Sequence, residues 1–456
     1  MNPSRRGSAG IIVAAMAIGL AGCGGSSSSF QTKTPQPAVK ALGEVFGGQQ
    51  PVSSMTIQMF DAGTGGYGSA ATALLSTATD SNGKFNFASN PSCASDPNNQ
   101  DQIYLVGTGG DPVVAGNGTN SHLALMLALG DCGRLNGSNA SPITHVHINE
   151  LTTVAAVWAL APFMSGNTQA WQHVGTSSTN TAGLRMAFQA ANQVVNIDTG
   201  TLPGTLPAGA TLGQAQVNTI ADALEFCINS IDGSGNSPSA SCSSLFTNAP
   251  SSSGNPGDTI TAAMNIAQNP GRNVATLDQG VSNTSTFQPI VASPTAFTIA
   301  IQYTGGGLNA PTAIAADGAG QVWVANSGSS AVSLFDNLGN SKLGTTGTAL
   351  GGTPQGIAID LSGNAWVTAS DDSVYELSSS GTINPATPFT GFNGPAGIAV
   401  DPAGYIWVVN NNDSTVSAFN STGAAMSGSP FSGAGISSPV GIAINGNANA
   451  NCADCH

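Results

Sequence analysis

Charge is scarce in this 456-residue chain, where Asp, Glu, Lys and Arg together supply only 7%. An average soluble protein carries roughly 25%. Basic residues are the scarcest: 9 Lys and Arg stand against 23 Asp and Glu, a net charge of −14. A surface of that sign repels phosphate backbones and argues against a nucleic-acid partner. Histidines number five, so general acid–base chemistry is thinly provisioned. No apolar run reaches the length of about 20 residues that a membrane-spanning helix needs. Gly-x-Ser-x-Gly elbows, phosphate-binding loops and dinucleotide fingerprints are absent from any strand–helix setting. What the chain does hold is 59 Gly, 25 Pro and 40% hydrophobic residues. That balance excludes a charge-rich disordered tail and suits many short strands joined by turns. The length leaves room for roughly two to four domains.

The first 22 residues read as an export signal. Arg5 and Arg6 form a basic start, and residues 11–22 an apolar stretch too short to span a bilayer. Leu20-Ala21-Gly22-Cys23 then resembles the lipobox of bacterial lipoproteins. The resemblance implies cleavage before Cys23 and lipid attached to that sulfur. Residues 23–36 form a flexible tether that begins Gly24-Gly25-Ser26-Ser27. The lack of Asp after Cys23 implies the outer membrane in that family. Cleavage would remove two of the nine basic residues and no acids, so attachment rests on lipid rather than on charge. The expected place is therefore the cell envelope. The other cysteines suit an oxidising compartment. Sequence proximity suggests Cys93 with Cys132 and Cys227 with Cys242.

Three regions follow, giving a multidomain, mainly β chain with a helical middle. Residues 37–140 read as strands, with hairpin-type turn chemistry at Asp80-Ser81-Asn82-Gly83. The Gly43-x-Val45, Pro51-Val52 and Thr79-Asp80-x-x-Gly83-x-Phe85 features resemble the carboxypeptidase-regulatory-like, transthyretin-type β-sandwich. In that family the module is structural or adhesive. Residues 141–288 switch to helical periodicity. Asn149 caps a stripe of Leu151, Val154, Ala155 and Trp158. A second stripe is Leu184, Phe188, Ala191 and Val195. Thr211-x-x-Gln214 reads as a capping box ahead of Val217, Ile220, Leu224 and Ile228. Residues 258–268 form a shorter helix. Cys227 would lie on the third helix and Cys242 in the loop after it.

Residues 289–456 carry an internal repeat. Pro311-Thr-Ala-Ile-Ala-Ala-Asp317-Gly-Ala-Gly320-Gln-Val-Trp323 recurs from Pro354 to Trp366 and from Pro395 to Trp407, and Pro439 opens a fourth copy. The prolines are 43, 41 and 44 residues apart, the length of one propeller blade. Each copy offers an apolar strand, an Asp…Gly turn, a Trp-Val strand and a third strand (Val332–Phe335, 374–377 and 416–419). This pattern resembles NHL repeats and the related streptogramin-lyase-type propeller. The sequence shows three blades and the start of a fourth, and a propeller closes with about four to eight. Open faces predict poor solubility or closure by a partner.

Catalysis has little to work with here. Residues 294–456 hold nine acids against Lys342 and His456 alone, and Asp317, Asp360 and Asp401 sit where turn formation is the usual duty. The repeated Trp323, Trp366 and Trp407 read as blade core. His145-Val-His147 with Glu150 offers metal-ligand types without an evident fourth ligand, so no metal is expected. Cys452-Ala-Asp-Cys455-His456 matches the signature of covalent haem c attachment. A truncated or frame-shifted reading of the fourth blade also accounts for it. The leading expectation is a non-catalytic binding or scaffolding module for a protein or glycan, without a cofactor. A streptogramin-lyase-like enzyme is the alternative, and a haem-carrying electron-transfer protein is third.

Overall fold

A computed structural model describes residues 42–92, 101–112, 118–135, 141–166, 168–433 and 435–444. The fold is mainly β, with several separate sheets and a helical middle. Strands β1 (Leu42–Gly47), β2 (Gln50–Pro51), β3 (Thr56–Asp61), β4 (Thr72–Ala78), β5 (Lys84–Asn86), β6 (Gln102–Thr108), β7 (Ala124–Asp131) and β8 (His145–Ile148) come first. They make two sheets, one in the order β4-β3-β6-β7 and one of β2-β1-β5 with β8 parallel to β1. The Asp80 turn forms, with its carboxylate accepting from the Asn82 and Lys84 amides at 2.8 and 2.9 Å. It does not close a hairpin. Val45 N–H takes the Gly83 carbonyl at 2.8 Å, so the chain crosses from β4 in one sheet to β5 in the other.

Helices α1 (Glu150–Leu160), α2 (Thr181–Val194), α3 (Gln214–Ile228), α4 (Ala240–Asn248), α5 (Thr259–Gln268) and α6 (Val274–Leu277) follow. The Asn149 cap is as expected: its side chain accepts from Thr152 N–H at 3.0 Å, and the Thr152 hydroxyl reaches back to Asn149 N–H at 2.9 Å. Buried side chains from β1 to Phe297 make one continuous core. Two helix-end expectations are corrected. Thr211 does not cap α3, because residues 210–212 form β9 (Ala210–Leu212), paired with β10 (Ile301–Tyr303). Gly213 is the cap residue and offers no side chain. Cys242 lies not in a loop but in the first turn of α4, whose cap Ser239 accepts from Cys242 N–H at 3.0 Å.

The repeats form three antiparallel sheets. The first is β11 (Pro311–Ala316), β12 (Val322–Asn326), β13 (Ala331–Phe335) and β14 (Thr348–Ala349). The second is β15 (Pro354–Ile359), β16 (Ala365–Ala369), β17 (Ser373–Leu377) and β18 (Phe389–Thr390), and the third is β19 (Pro395–Val400), β20 (Ile406–Asn410) and β21 (Thr415–Phe419). Registers repeat across the copies, with Ile314 opposite Val324, Ile357 opposite Val367 and Ile398 opposite Val408. The short outer strands β14 and β18 were not anticipated. In the third blade a single bridge from Val416 to Phe431 stands in their place.

The Cys227–Cys242 disulfide closes a 15-residue separation between α3 and α4. A loop of that length stabilises by about 3 kcal/mol in the chain-entropy picture. Replacing both cysteines by Ala should lower the urea midpoint accordingly, and reductant should reproduce the loss in the parent chain.

Candidate functional site

The blades are assembled by one repeated clip. Asp317 Oδ1 accepts from the Ala319 and Gln321 amides at 3.0 and 2.9 Å, and its Oδ2 accepts from the Trp323 indole at 3.3 Å. Asp360 does the same with Ser362, Asn364 and Trp366 at 2.8, 2.9 and 3.1 Å. Asp401 repeats it with Ala403, Tyr405 and Trp407, each at 2.9 Å. Gly320, Gly363 and Gly404 complete the turns at φ near +80°, a conformation that favours glycine. One carboxylate thus holds the turn and satisfies the indole N–H of a ring that is fully buried in the first two blades.

The first two tryptophans each pack on the next blade. Trp323, Val332 and Leu334 meet Ile357, Ala365, Val367 and Leu377. Trp366 and Val374 likewise meet Ile398, Ile406, Val408 and Phe419. Every blade therefore has a tryptophan face and an isoleucine face. Third-position glycines let the inner strands approach. A Cβ on Gly356 would lie 2.6 Å from the Ala396 carbonyl. On the first blade Tyr303 and Leu308 lie beside the isoleucine face, and a groove of about 670 Å³ opens there along Ile314, Val322, Val324 and Phe335.

The histidine pair is not gathered into a site. His147 Nδ1 lies 3.3 Å from Glu44, and its ring stacks on Phe46 at 5.1 Å. Burial pushes its pKa down, against the pull of Glu44. His145 turns instead to Asp198 at 3.1 Å. Among the described residues no group of three His, Cys, Asp or Glu side chains is placed to hold a metal ion. Cys132 is disulfide-bonded. Cys23, Cys93, Cys452, Cys455 and His456 lie outside the described residues.

Sequence reasoning missed a buried acid cluster. Glu150, fully buried, accepts from Gly48 N–H at 2.7 Å, and its Oε2 has no partner among the described residues. Burial pushes its pKa up to about 8, with Glu225 and Asp222 adding like charge. Burial likewise raises Asp222 to about 7, helped by Glu225, although Phe287 N–H bonds it at 2.9 Å. Glu225 accepts from Thr286 and Asn229 at 2.6 and 2.9 Å. The available signal was Asp222 standing inside the apolar stripe of α3, three residues before Glu225.

No family model matches the chain, and no curated protein matches it. Solved structures similar to it include a streptogramin B lyase, at 21% identity and a TM-score of 0.25 over 29% of this chain and 43% of that one. Two virginiamycin B lyase structures from Staphylococcus aureus are also similar. One shows 21% identity and a TM-score of 0.23 over 25% of this chain and 40% of that one. The other, a catalytically inactive form with quinupristin, shows 17% and 0.27 over 32% and 48%. The chain spans less than half the length of each.

Replacing Asp360 by Ala should cost about 2–3 kcal/mol in urea unfolding, because two turn amides and a buried indole lose their acceptor. Asp413→Ala, at an exposed position, should stay within about 0.5 kcal/mol. A second prediction concerns pH. Glu150 and Asp222 hold protons in the fold that they release in the unfolded chain above their ordinary values of 4.5 and 3.8. Their stabilisation is complete below those values and is lost as pH rises through about 7 to 8. The loss runs up to about 1.4 kcal/mol per pH unit for each group. Urea midpoints should therefore fall between pH 5.5 and 8.5, and Glu150→Gln should flatten that fall.

Proposed function

We propose that this chain is an exported, lipid-anchored envelope protein whose NHL-type blades serve as a non-catalytic binding or scaffolding module. The observation that carries the non-catalytic reading is the use of the blade acids. Asp317, Asp360 and Asp401 each engage two turn amides and an indole N–H, so these carboxylates work as structural acceptors. The partner would be a protein or glycan, reached from an outer-membrane anchor at Cys23. The strand-rich N-terminal part, read as carboxypeptidase-regulatory-like, would act as a structural base, consistent with the core it shares with the helices. No helix among the described residues is long and apolar enough to cross a membrane, so the anchor in this reading is the lipid.

The second reading is a streptogramin-lyase-like enzyme, favoured by the repeat pattern itself. Covalent haem at Cys452, Cys455 and His456 is the third, resting on the motif alone.

Two measurements test the proposal together. Labelled palmitate should enter the full-length chain in cells, and Cys23→Ser should abolish both labelling and membrane sedimentation. The purified protein should leave a streptogramin B substrate unconsumed in a chromatographic assay. Consumption of that substrate would overturn the non-catalytic reading. A covalent haem stain in cells with maturation factors would establish the third.

A further inference from the structure

One stretch of the chain is seated on α3 by side chains alone. Residues 286–296 lie outside every helix and strand. Among the described residues, none of them makes a backbone–backbone hydrogen bond. Asn218 Nδ2 donates to the Pro289 carbonyl at 2.9 Å, and the Thr219 hydroxyl accepts from Val291 N–H at 2.8 Å. Asp222 accepts from Phe287 N–H at 2.9 Å, and Glu225 from the Thr286 hydroxyl at 2.6 Å. Positions 218, 219, 222 and 225 share one face of the helix. Phe287 packs, half-buried, on the core beneath.

Two of those four side chains belong to the buried acid cluster. Glu150 enters it from α1, and Asp222 and Glu225 from α3. Glu150 Oε2 and Asp222 Oδ2 are buried and have no partner among the described residues. The Asp222 and Glu225 carboxyls stand close enough to share a proton, and neither can donate to the other without one. Asp278, at the end of α6, opens the same loop and is also pushed up by burial. Glu44, on the strand that leads to Gly48, is held by His147.

We propose that residues 286–291 are a proton-operated latch. Protons on Asp222 and Glu150 keep the segment seated on α3, and their loss opens it locally while the helices stay folded. Without those protons, three carboxylates would crowd a pocket in which Glu150 and Asp222 are both buried. The Phe287 amide does not replace the proton, because burial outweighs that bond at Asp222. Moving a helix to relieve the charge would break a backbone ladder and uncover the core. Lifting residues 286–291 breaks side-chain contacts, frees one half-buried ring and lets water reach Asp222 and Glu225. A segment held so lightly is where local opening starts. It lies on the passage from α6 to β10 and the blades. Phe297 limits the opening, since it stays bonded to Pro270 at 2.8 Å and to the Trp158 indole at 3.0 Å.

Amide hydrogen exchange of the full chain in mild detergent, between about pH 6 and pH 9, reads the latch. Each rate is divided by the intrinsic rate at the same pH, which removes base catalysis. Protection at Phe287 and Val291 should fall by about tenfold or more above about pH 7. Ala263 and Met264 in α5 should keep theirs. Asp222→Asn and Glu150→Gln, which mimic the protonated side chains, should each flatten the fall. Constant protection at Phe287 and Val291, a matching loss in α5, or a fall that neither substitution changes would each overturn the proposal.

Discussion

The architecture of the repeat region depends on the tryptophan of one blade lying on the isoleucine of the next. Each repeat sheet carries apolar side chains on both faces and must bury them against another element. The interface at Trp323 and Ile357, repeated at Trp366 and Ile398, is what turns isolated meanders into a stacked array. The indole can be buried there only because a carboxylate accepts its N–H, since an unpaired polar group inside a dry interface costs about 1–3 kcal/mol. The Asp–Trp clip is thus the condition for the interface, and the turn it also stabilises sets the register of both strands.

That economy explains why the repeats were legible in the sequence. Pro, Ile-Ala, Asp, Gly and Trp each report a different constraint, and together they give the strand, the turn and the buried ring. The outer strands β14 and β18 carry no such marks. Thr348-Ala349 and Phe389-Thr390 are two residues each and cannot show an alternation. Other departures come from tertiary demands that local pattern does not encode. Thr211 is drawn into pairing with Gln302, some ninety residues away, and so cannot cap α3. The Asp80 turn keeps its local chemistry, yet the strands it joins belong to different sheets, because β1 claims β5.

The candidate site divides in the same way. The repeated aspartates were readable as turn formers, and the geometry adds the indole that each one serves. His145 and His147 were readable as metal-ligand types, but parallel pairing of β8 with β1 sets His147 beside Glu44 and leaves His145 to Asp198. The buried acids were hidden, because Glu150, Asp222 and Glu225 meet only when α1 and α3 pack together. The desolvation of Glu150 and Asp222 is tolerable because the fold favours their protonated forms, which ties the helical body to pH through charge that the composition makes scarce.

The central claim, that the repeated aspartates are structural acceptors for buried indoles, is most directly tested by NMR of the Trp323, Trp366 and Trp407 indole N–H groups, assigned by single Trp→Phe variants. The account predicts slow solvent exchange for Trp323 and Trp366 in particular, with each resonance losing protection when its own aspartate becomes alanine. Indole protons that exchange as fast as free tryptophan, or that ignore the loss of Asp317, Asp360 and Asp401, would contradict it.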